Sequence, residues 1–486
     1  MLDKVILKNA VTKDETRDAI KPAIKLLGER LSVLQQELRE SKTPVMIVFE
    51  GWGASGKGSQ VGKMILNLDP RGFEVVTVNE PNAEEARLPF LNRFWLKVPQ
   101  RGEIAVFDKS WYHNYCESKK ENINIFERQL TDDGYLIVKF FLHISEKEQK
   151  SRLDELSSKK SSAWRVNDFD LQQNKHYNKN YKKFEMMLED TNTENAPWNA
   201  ISGMDKHVAL YSILSILVKN IEEKLKADLE VKRPKQTGII ASKMGFPLIK
   251  MPKLVNVDLS CNLEEEDYNI QLEYLQNKLQ KLSYKLYKKS IPLIICYEGW
   301  DAAGKGGNIK RVVESLDPRD YDVTPIAAPD STEASHHYLW RFRNNIPKTG
   351  HIKIFDRTWY GRVMVERVEG FCSKEEWKRA YNEINEFEKE LTQWGAIVVK
   401  FWLQIDKDEQ LVRFTQRQET PEKQWKITEE DWRNREKWDK YEVAVNDMLK
   451  NTSTENAPWT IVESNSKYFA RIKTLETIIA AIEKRL

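Results

Sequence analysis

The sequence predicts an α/β protein: two tandem P-loop α/β/α modules with parallel central sheets and a helical lid, generated by an internal duplication. Three observations predict it. A glycine-rich loop occurs twice, as Glu50-Gly51-Trp52-Gly53-Ala54-Ser55-Gly56-Lys57-Gly58 and as Glu298-Gly299-Trp300-Asp301-Ala302-Ala303-Gly304-Lys305-Gly306-Gly307. Each copy follows an apolar run of strand length, Val45 to Phe49 and Leu293 to Tyr297, and lies upstream of a second run that ends in an acid, Val106-Phe107-Asp108 and Ile354-Phe355-Asp356. The repeat also keeps register: Gly51, Lys57, Pro70, Asp108 and Trp111 recur as Gly299, Lys305, Pro318, Asp356 and Trp359, each shifted by 248 positions.

Taken in order, each module opens with an amphipathic helix. Ile24, Leu27, Leu31, Leu34 and Leu38 match Leu272, Leu275, Leu279, Leu282 and Leu286 at three- and four-residue steps, a stripe that should pack on its own module. Apolar runs (Val75 to Val78, Ile104 to Phe107, Tyr135 to Leu142, and their repeats) then alternate with charged helical stretches, which indicates a parallel sheet covered by helices. Downstream, Gly134 matches Gly395 and Asn195-Ala196-Pro197-Trp198 matches Asn456-Ala457-Pro458-Trp459, now shifted by 261. The second module therefore holds 13 extra residues just after its acid, expected in or near Gly361 to Phe371. The expected boundaries are 1–225 for the first module, 226–258 for a connector containing Pro234, Gly238, Gly245, Pro247 and Pro252, and 259–486 for the second.

At 486 residues the chain is long enough for two cores. Lys and Arg (77) nearly balance Asp and Glu (74), so a net charge of +3 predicts neither a nucleic-acid nor a membrane-surface partner. The segment from Met1 to Glu15 has no signal-peptide core, and no apolar run approaches the length of a membrane span. Cys116, Cys261, Cys296 and Cys372 stand singly, as suits reduced thiols in a cytoplasm.

The chemistry follows from the loops. A glycine-rich turn between strand and helix points backbone N–H groups into a concavity at a helix N-terminus and so holds phosphate. Gly299, Ala303, Gly304, Gly306 and Gly307 form that cradle in the second module, and Lys305 supplies full charge. The Ser or Thr that usually follows the lysine and binds Mg²⁺ is absent, so Asp301, with Asp356, is the candidate for a hard cation. The first module keeps Lys57 and Asp108 but has Gly53 at the Asp301 position, and is expected to be degenerate. It also has Lys109 where the second has Arg357, and lacks Arg362, Glu366 and Arg367. Arg413 and Arg417 precede a tryptophan-rich segment with Trp425, Trp432 and Trp438, and such arginines can close over a transferring phosphoryl group. His336-His337 are not at metal-ligand spacing, and a surface or phosphate-contacting place is expected for them.

Glu298 to Gly307, Asp317-Pro318-Arg319, Phe355-Asp356-Arg357-Thr358-Trp359-Tyr360, Val365-Glu366-Arg367-Val368 and Asn434-Arg435-Glu436-Lys437-Trp438-Asp439 together make the chain resemble the polyphosphate kinase 2 family, in its fused two-module class. The resemblance covers nearly the whole chain. It implies Mg²⁺-dependent phosphoryl transfer from inorganic polyphosphate to AMP, giving ADP, at the second module. It further implies Asp301 and Asp356 as Mg²⁺ ligands, Lys305 on the transferred phosphate, Arg357 and lid Arg413 on its charge, and Glu366 orienting nucleotide or metal. Arg311, Arg319, Arg341 and Arg343 are expected to follow the polymer, and a homo-oligomer is compatible with the pattern. Three alternatives stand beside this: polyphosphate-driven phosphorylation of nucleoside diphosphates, an ATP-using nucleoside monophosphate kinase, and a noncatalytic polyphosphate-binding module.

Overall fold

A computed structural model describes residues 1–7, 14–113, 115–231 and 245–486. Strands β1 (Val45–Gly51), β2 (Phe73–Thr77), β3 (Ile104–Asp108), β4 (Leu136–His143) and β5 (Trp198–Ser202) form one sheet. Its order is β2-β3-β1-β4-β5, with every neighbouring pair parallel. Strands β6 (Leu293–Gly299), β7 (Tyr321–Pro325), β8 (Ile352–Asp356), β9 (Ile397–Gln404) and β10 (Trp459–Glu463) repeat that arrangement in a second sheet. β1 and β9 are buried along their whole length, because helices cover both faces of a parallel sheet. That explains their continuous apolar runs.

Contact clustering divides the chain into two compact units. Unit 1 is Met1–Pro81, Leu91–Thr237 and Ser331–His337; unit 2 is Asn82–Phe90, Gly238–Asp330 and Tyr338–Leu486. The units are thus not the continuous stretches expected from the repeat boundaries. In unit 1, Arg101 N donates to Ser335 O at 2.9 Å and the His337 ring packs 5.5 Å from Trp95. In unit 2, Thr349 N donates to Arg87 O and Arg87 Nη2 returns a bond to Thr349 O at 2.6 Å. His336 and His337 are buried in unit 1, contrary to the surface place expected for them, and His336 Nδ1 lies 2.7 Å from Thr332 O.

The expected connector 226–258 is also narrower than its composition suggests. The helix Lys206–Val231 runs through its beginning, and Leu254 is buried in the second core. Residue 248 bridges to Thr454. Pro234 and Gly238 lie outside the described residues.

The leucine stripes pack as their spacing predicts. Leu31, Leu34 and Leu38 are buried, and their helix Asp14–Ser41 lies on the helix Lys206–Val231. Leu275, Leu279, Leu282 and Leu286 are buried where Glu265–Lys288 lies on Lys467–Arg485. The extra residues of the second module form the helix Val365–Glu369 and lengthen the next helix, Lys374–Trp394, to 21 residues against 13 for Lys120–Asp132. A capping box between Ser373 and Glu376 starts the longer helix.

Each core encloses a Lys–Glu ion pair. Lys400 Nζ donates to Glu388 Oε2 at 2.7 Å, to Tyr360 Oη at 2.8 Å and to Thr452 O at 2.8 Å. Glu388 also accepts from Trp359 Nε1 and Tyr360 Oη. Lys139, Glu127, Tyr112, Trp111 and Thr191 repeat this set in unit 1. A fully enclosed pair is tolerated because every donor and acceptor finds a partner. It ties the Trp-Tyr turn after the strand-end acid to the middle of the sheet.

Candidate active site at the C-terminal loop

The loop sits where an open parallel sheet accepts ligands, beyond the carboxyl ends of the central strands. β6 ends in Gly299, whose Cα lies so close to β9 that a β-carbon there would stand 2.7 Å from Leu403 O. The turn closes at Gly304, in the left-handed region with φ of 106°, and the helix Lys305–Val313 begins at the next residue. Both glycines are therefore required by backbone geometry. Lys305 Nζ donates to Gly299 O at 2.8 Å and to Trp300 O at 3.3 Å, which sets it on the inside of the turn. Gly306 has open space around its Cα, so no packing demands glycine there.

The strand-end acid is brought to the loop by a buried carboxylate. Glu298 Oε1 accepts from Thr358 N at 2.7 Å and Thr358 Oγ1 at 2.8 Å, fastening the residues after Asp356 to the strand that carries the loop. Burial pushes the Glu298 carboxyl up to about 7, against the opposing pull of Thr358 and Lys305. Between them Arg357 adopts φ of 65° and its Nη2 lies 3.3 Å from Asp301 Oδ1. Asp301 Oδ2 accepts from Asn434 Nδ2 at 3.0 Å, so the loop carboxylate touches the helix Glu429–Glu436 of the expected lid. Trp438 closes this contact by stacking on Trp300 with ring centres 3.7 Å apart.

Asp301 and Asp356 offer two hard carboxylates, one on the loop and one on a strand end. Among the described residues no cluster of three or more His, Cys, Asp or Glu side chains could cage a metal. Two carboxylates completed by phosphate oxygens and water are what Mg²⁺ takes in phosphotransfer sites, so this donor set fits that ion and not a protein-only cage.

Two expected site residues, Arg343 and Arg319, lie away from the loop, and Arg413 stands at it with its donors engaged. Arg413 is 3% exposed. Its Nη1 donates to Ala302 O at 2.9 Å, its Nη2 to Ser464 O at 2.6 Å and Asn465 O at 3.0 Å, and its Nε to Glu409 at 2.6 Å. Its donors are engaged by loop and post-β10 carbonyls and by Glu409, with Nη1 4.0 Å from the point a β-carbon on Gly304 would occupy, so it braces the loop at the start of its helix. Arg152 makes the same bonds in unit 1, to Ala54, Ser55, Gly203 and Glu148. Arg343 is 2% exposed, paired with Glu390 at 2.7 Å and set over the Phe387 ring, and cannot follow a polymer at the surface. Arg319 binds Asp317 just before β7 begins. It stands at the opposite edge of the sheet from the loop, a strand length of roughly 16 Å away.

Arg311 lies in the second turn of the loop helix, near Glu314 at 3.9 Å, and Arg341 Nη2 donates to Ala327 O just beyond the carboxyl end of β7. Glu366 pairs with Arg362 at 2.9 Å, and burial raises its carboxyl against that pairing. Sequence reasoning passed over Glu369 and Lys437, which pair at 2.6 Å and join the inserted helix to the base of the lid. Their separation in the chain left no local signal.

In unit 1 the loop has the same shape, with Gly56 at φ of 99° and Lys57 Nζ on Gly51 O and Trp52 O at 2.9 and 2.8 Å. The carboxylate of Asp170, on the helix Asp168–Lys175, fills the space a side chain at Gly53 would need. Gln173 Oε1 accepts from Gly53 N at 2.7 Å. Burial lowers the Lys57 ammonium, opposed by Asp108, Glu50 and Asp170.

A parallel sheet with a lysine-bearing loop, a strand-end acid and a docked helix defines a P-loop phosphotransferase. The polyphosphate kinase 2 family matches residues 14–229 and again 262–486, and the chain belongs to that family. It is 40% identical over 485 residues to a polyphosphate:AMP phosphotransferase of Pseudomonas syringae pv. tomato, covering 97% of this chain and 96% of that protein. An NDP-polyphosphate phosphotransferase of Ruegeria pomeroyi is 37% identical over 223 residues, covering 46% of this chain and 74% of its own length. A crystal structure from Pseudomonas aeruginosa described as a polyphosphate kinase 2 matches with a TM-score of 0.85 at 38% identity, covering 100% of this chain and 99% of that one. Among the described residues no helix is long and apolar enough to cross a membrane.

Proposed function

We propose that this chain transfers a phosphoryl group from inorganic polyphosphate to AMP, giving ADP, at the loop of unit 2. The observation that carries the assignment to unit 2 is the pairing of Arg357, just after β8, with Asp301 on the loop that ends in Lys305, where unit 1 has Lys109 and Gly53. The full-length likeness to a polyphosphate:AMP phosphotransferase supports the choice of donor and acceptor. The backbone N–H groups of Ala303 to Gly307 and the Lys305 ammonium hold the transferred phosphate, and Arg357 balances the charge that spreads over its oxygens. Asp301 and Asp356 would hold Mg²⁺, which would supply charge neutralisation at the phosphate. Arg413 acts through the loop it braces. Glu366, held by Arg362, orients the nucleotide, while Arg311 and Arg341 meet the polymer. No covalent phosphoenzyme forms, because positioning and charge suffice for a loose transition state. The protein works in the cytoplasm.

The test is purified protein with Mg²⁺, long-chain polyphosphate and AMP, without ATP, followed by nucleotide chromatography. ADP formation is expected. No ADP from AMP, with ATP formed when ADP replaces AMP, assigns the diphosphate as acceptor instead; turnover of AMP with ATP but not polyphosphate as donor assigns an ordinary monophosphate kinase.

A further inference from the structure

The helix Lys467–Arg485 begins just after β10, at the carboxyl edge of the sheet where the loop lies. Arg471, in its second turn, places Nη2 3.6 Å from the point a β-carbon on Gly307 would occupy. Gly307 is in the first turn of the loop helix, so this guanidinium stands beside the phosphate cradle. It is held from behind by two aromatic rings. Nη1 donates to Tyr268 Oη at 3.3 Å, and the guanidinium lies 5.7 Å from the Tyr268 ring centre and 6.0 Å from that of Tyr468. The two rings stack at 4.4 Å.

Among the described residues that tyrosine is Arg471's one hydrogen-bond partner, and no carboxylate pairs with it. Its charge is therefore oriented by the tyrosine pair and forms no ion pair next to an anion cradle, with Glu265 reaching only Tyr468, unlike Arg413, Arg343 and Arg319, each of which has an acid at 2.6–2.7 Å. The matching positions of the first module are Ile20, Ser59, His207 and Leu210, so the whole cluster is confined to the unit that carries Asp301.

We propose that Arg471 binds a phosphate of the polyphosphate chain next to the one gripped by Lys305, which rests on the reading of this loop as a polyphosphate site. Tyr268 is buried and stacked on Tyr468, and the guanidinium lies at the edge of the pair beside the Tyr268 hydroxyl, so the cluster presents a charge to phosphate. A polyanion needs successive cations beyond the reacting group, and Arg471 supplies one beside the first turn of the loop helix.

The experiment measures equilibrium binding of long-chain polyphosphate to the full chain by calorimetry, together with KM for polyphosphate and for AMP. Arg471→Leu, the residue of the first module at that position, is expected to weaken binding and raise the polyphosphate KM by about tenfold, the size of one charge-assisted contact at a half-exposed site. The AMP KM should stay within about twofold, since no AMP contact is removed. Arg471→Gln, which keeps a donor for Tyr268 but loses the charge, should show the same loss, and Arg471→Lys should recover part of it. Unchanged polyphosphate affinity in folded Arg471→Leu and Arg471→Gln, or a rise confined to the AMP KM, overturns the proposal. A wild-type chain that binds no polyphosphate overturns instead the donor reading beneath it.

Discussion

The two loops differ less in backbone than in where their carboxylate comes from. In unit 2 it grows from the loop as Asp301, within reach of Arg357 and Asn434. In unit 1 it arrives from the neighbouring helix as Asp170, over Gly53, while Gln173 occupies the Gly53 amide. The helix caps explain the exchange. Asp431, the counterpart of Asp170, turns back to accept from Thr428 N at 2.8 Å, whereas Asn167 caps the first-module helix and leaves the Asp170 carboxylate free to lie on the loop. A duplicated fold can thus keep its lysine, its turn and its bracing arginine while the place of the loop carboxylate is filled from a neighbouring helix.

The largest effect that can break this comparison is on turnover. Lys305→Ala should lower kcat with AMP and polyphosphate by about 10²–10³, as loss of a single preorganised charge contact does, and Asp356→Asn should act similarly while raising the Mg²⁺ requirement. Lys57→Ala should leave most activity. Equal losses from the two lysine variants would show that both loops work.

Next in size is the enclosed ion pair. Lys400→Met leaves Glu388 unpaired and should destabilise unit 2 by about 3–5 kcal/mol, read from the urea midpoint; Lys139→Met should do the same to unit 1. A difference between the two would mean that the matching networks carry unequal weight.

Gly53→Asp sharpens the comparison directly. Two carboxylates would contest one space, so the substitution should cost about 1–3 kcal/mol, as overpacking does, and add no turnover in a Lys305→Ala background. Adding Asp170→Ala should restore the lost stability. If Gly53→Asp alone were neutral, Asp170 would not be occupying that space.

The smallest effect is a pH dependence. Glu298 has its folded-state carboxyl raised to about 7 and Glu50 to about 6, both by burial. A raised carboxyl means the folded protein holds the proton more tightly than the unfolded chain. The stability it contributes is full below about 4.5, the ordinary carboxyl value, and is lost as pH rises through about 7 for Glu298. Glu298→Gln cannot ionise, so its Tm relative to wild type should climb between pH 5 and pH 8. A constant Tm difference across that range would refute the assignment.

Much of this was legible in the residues. The repeat shift of 248 positions, the two loops, the strand-end acids and the leucine stripes all appear where their local pattern placed them. Glycine spacing, period-two and period-3.6 burial, and helix caps are set by interactions within a few residues, and the backbone obeys them wherever the segment ends up. The arginines were another matter. Arg343 is settled by Glu390, 47 residues on, Arg413 by Ser464, 51 residues on, and Arg471 by Tyr268, 203 residues back. A guanidinium looks alike in any stretch of chain, and whether it braces a loop, fills a core or faces an anion depends on which oxygens folding brings to it. So sequence alone determined the architecture and the phosphate-holding loops, while tertiary packing decided which charges were consumed in building them and which were left to meet a ligand.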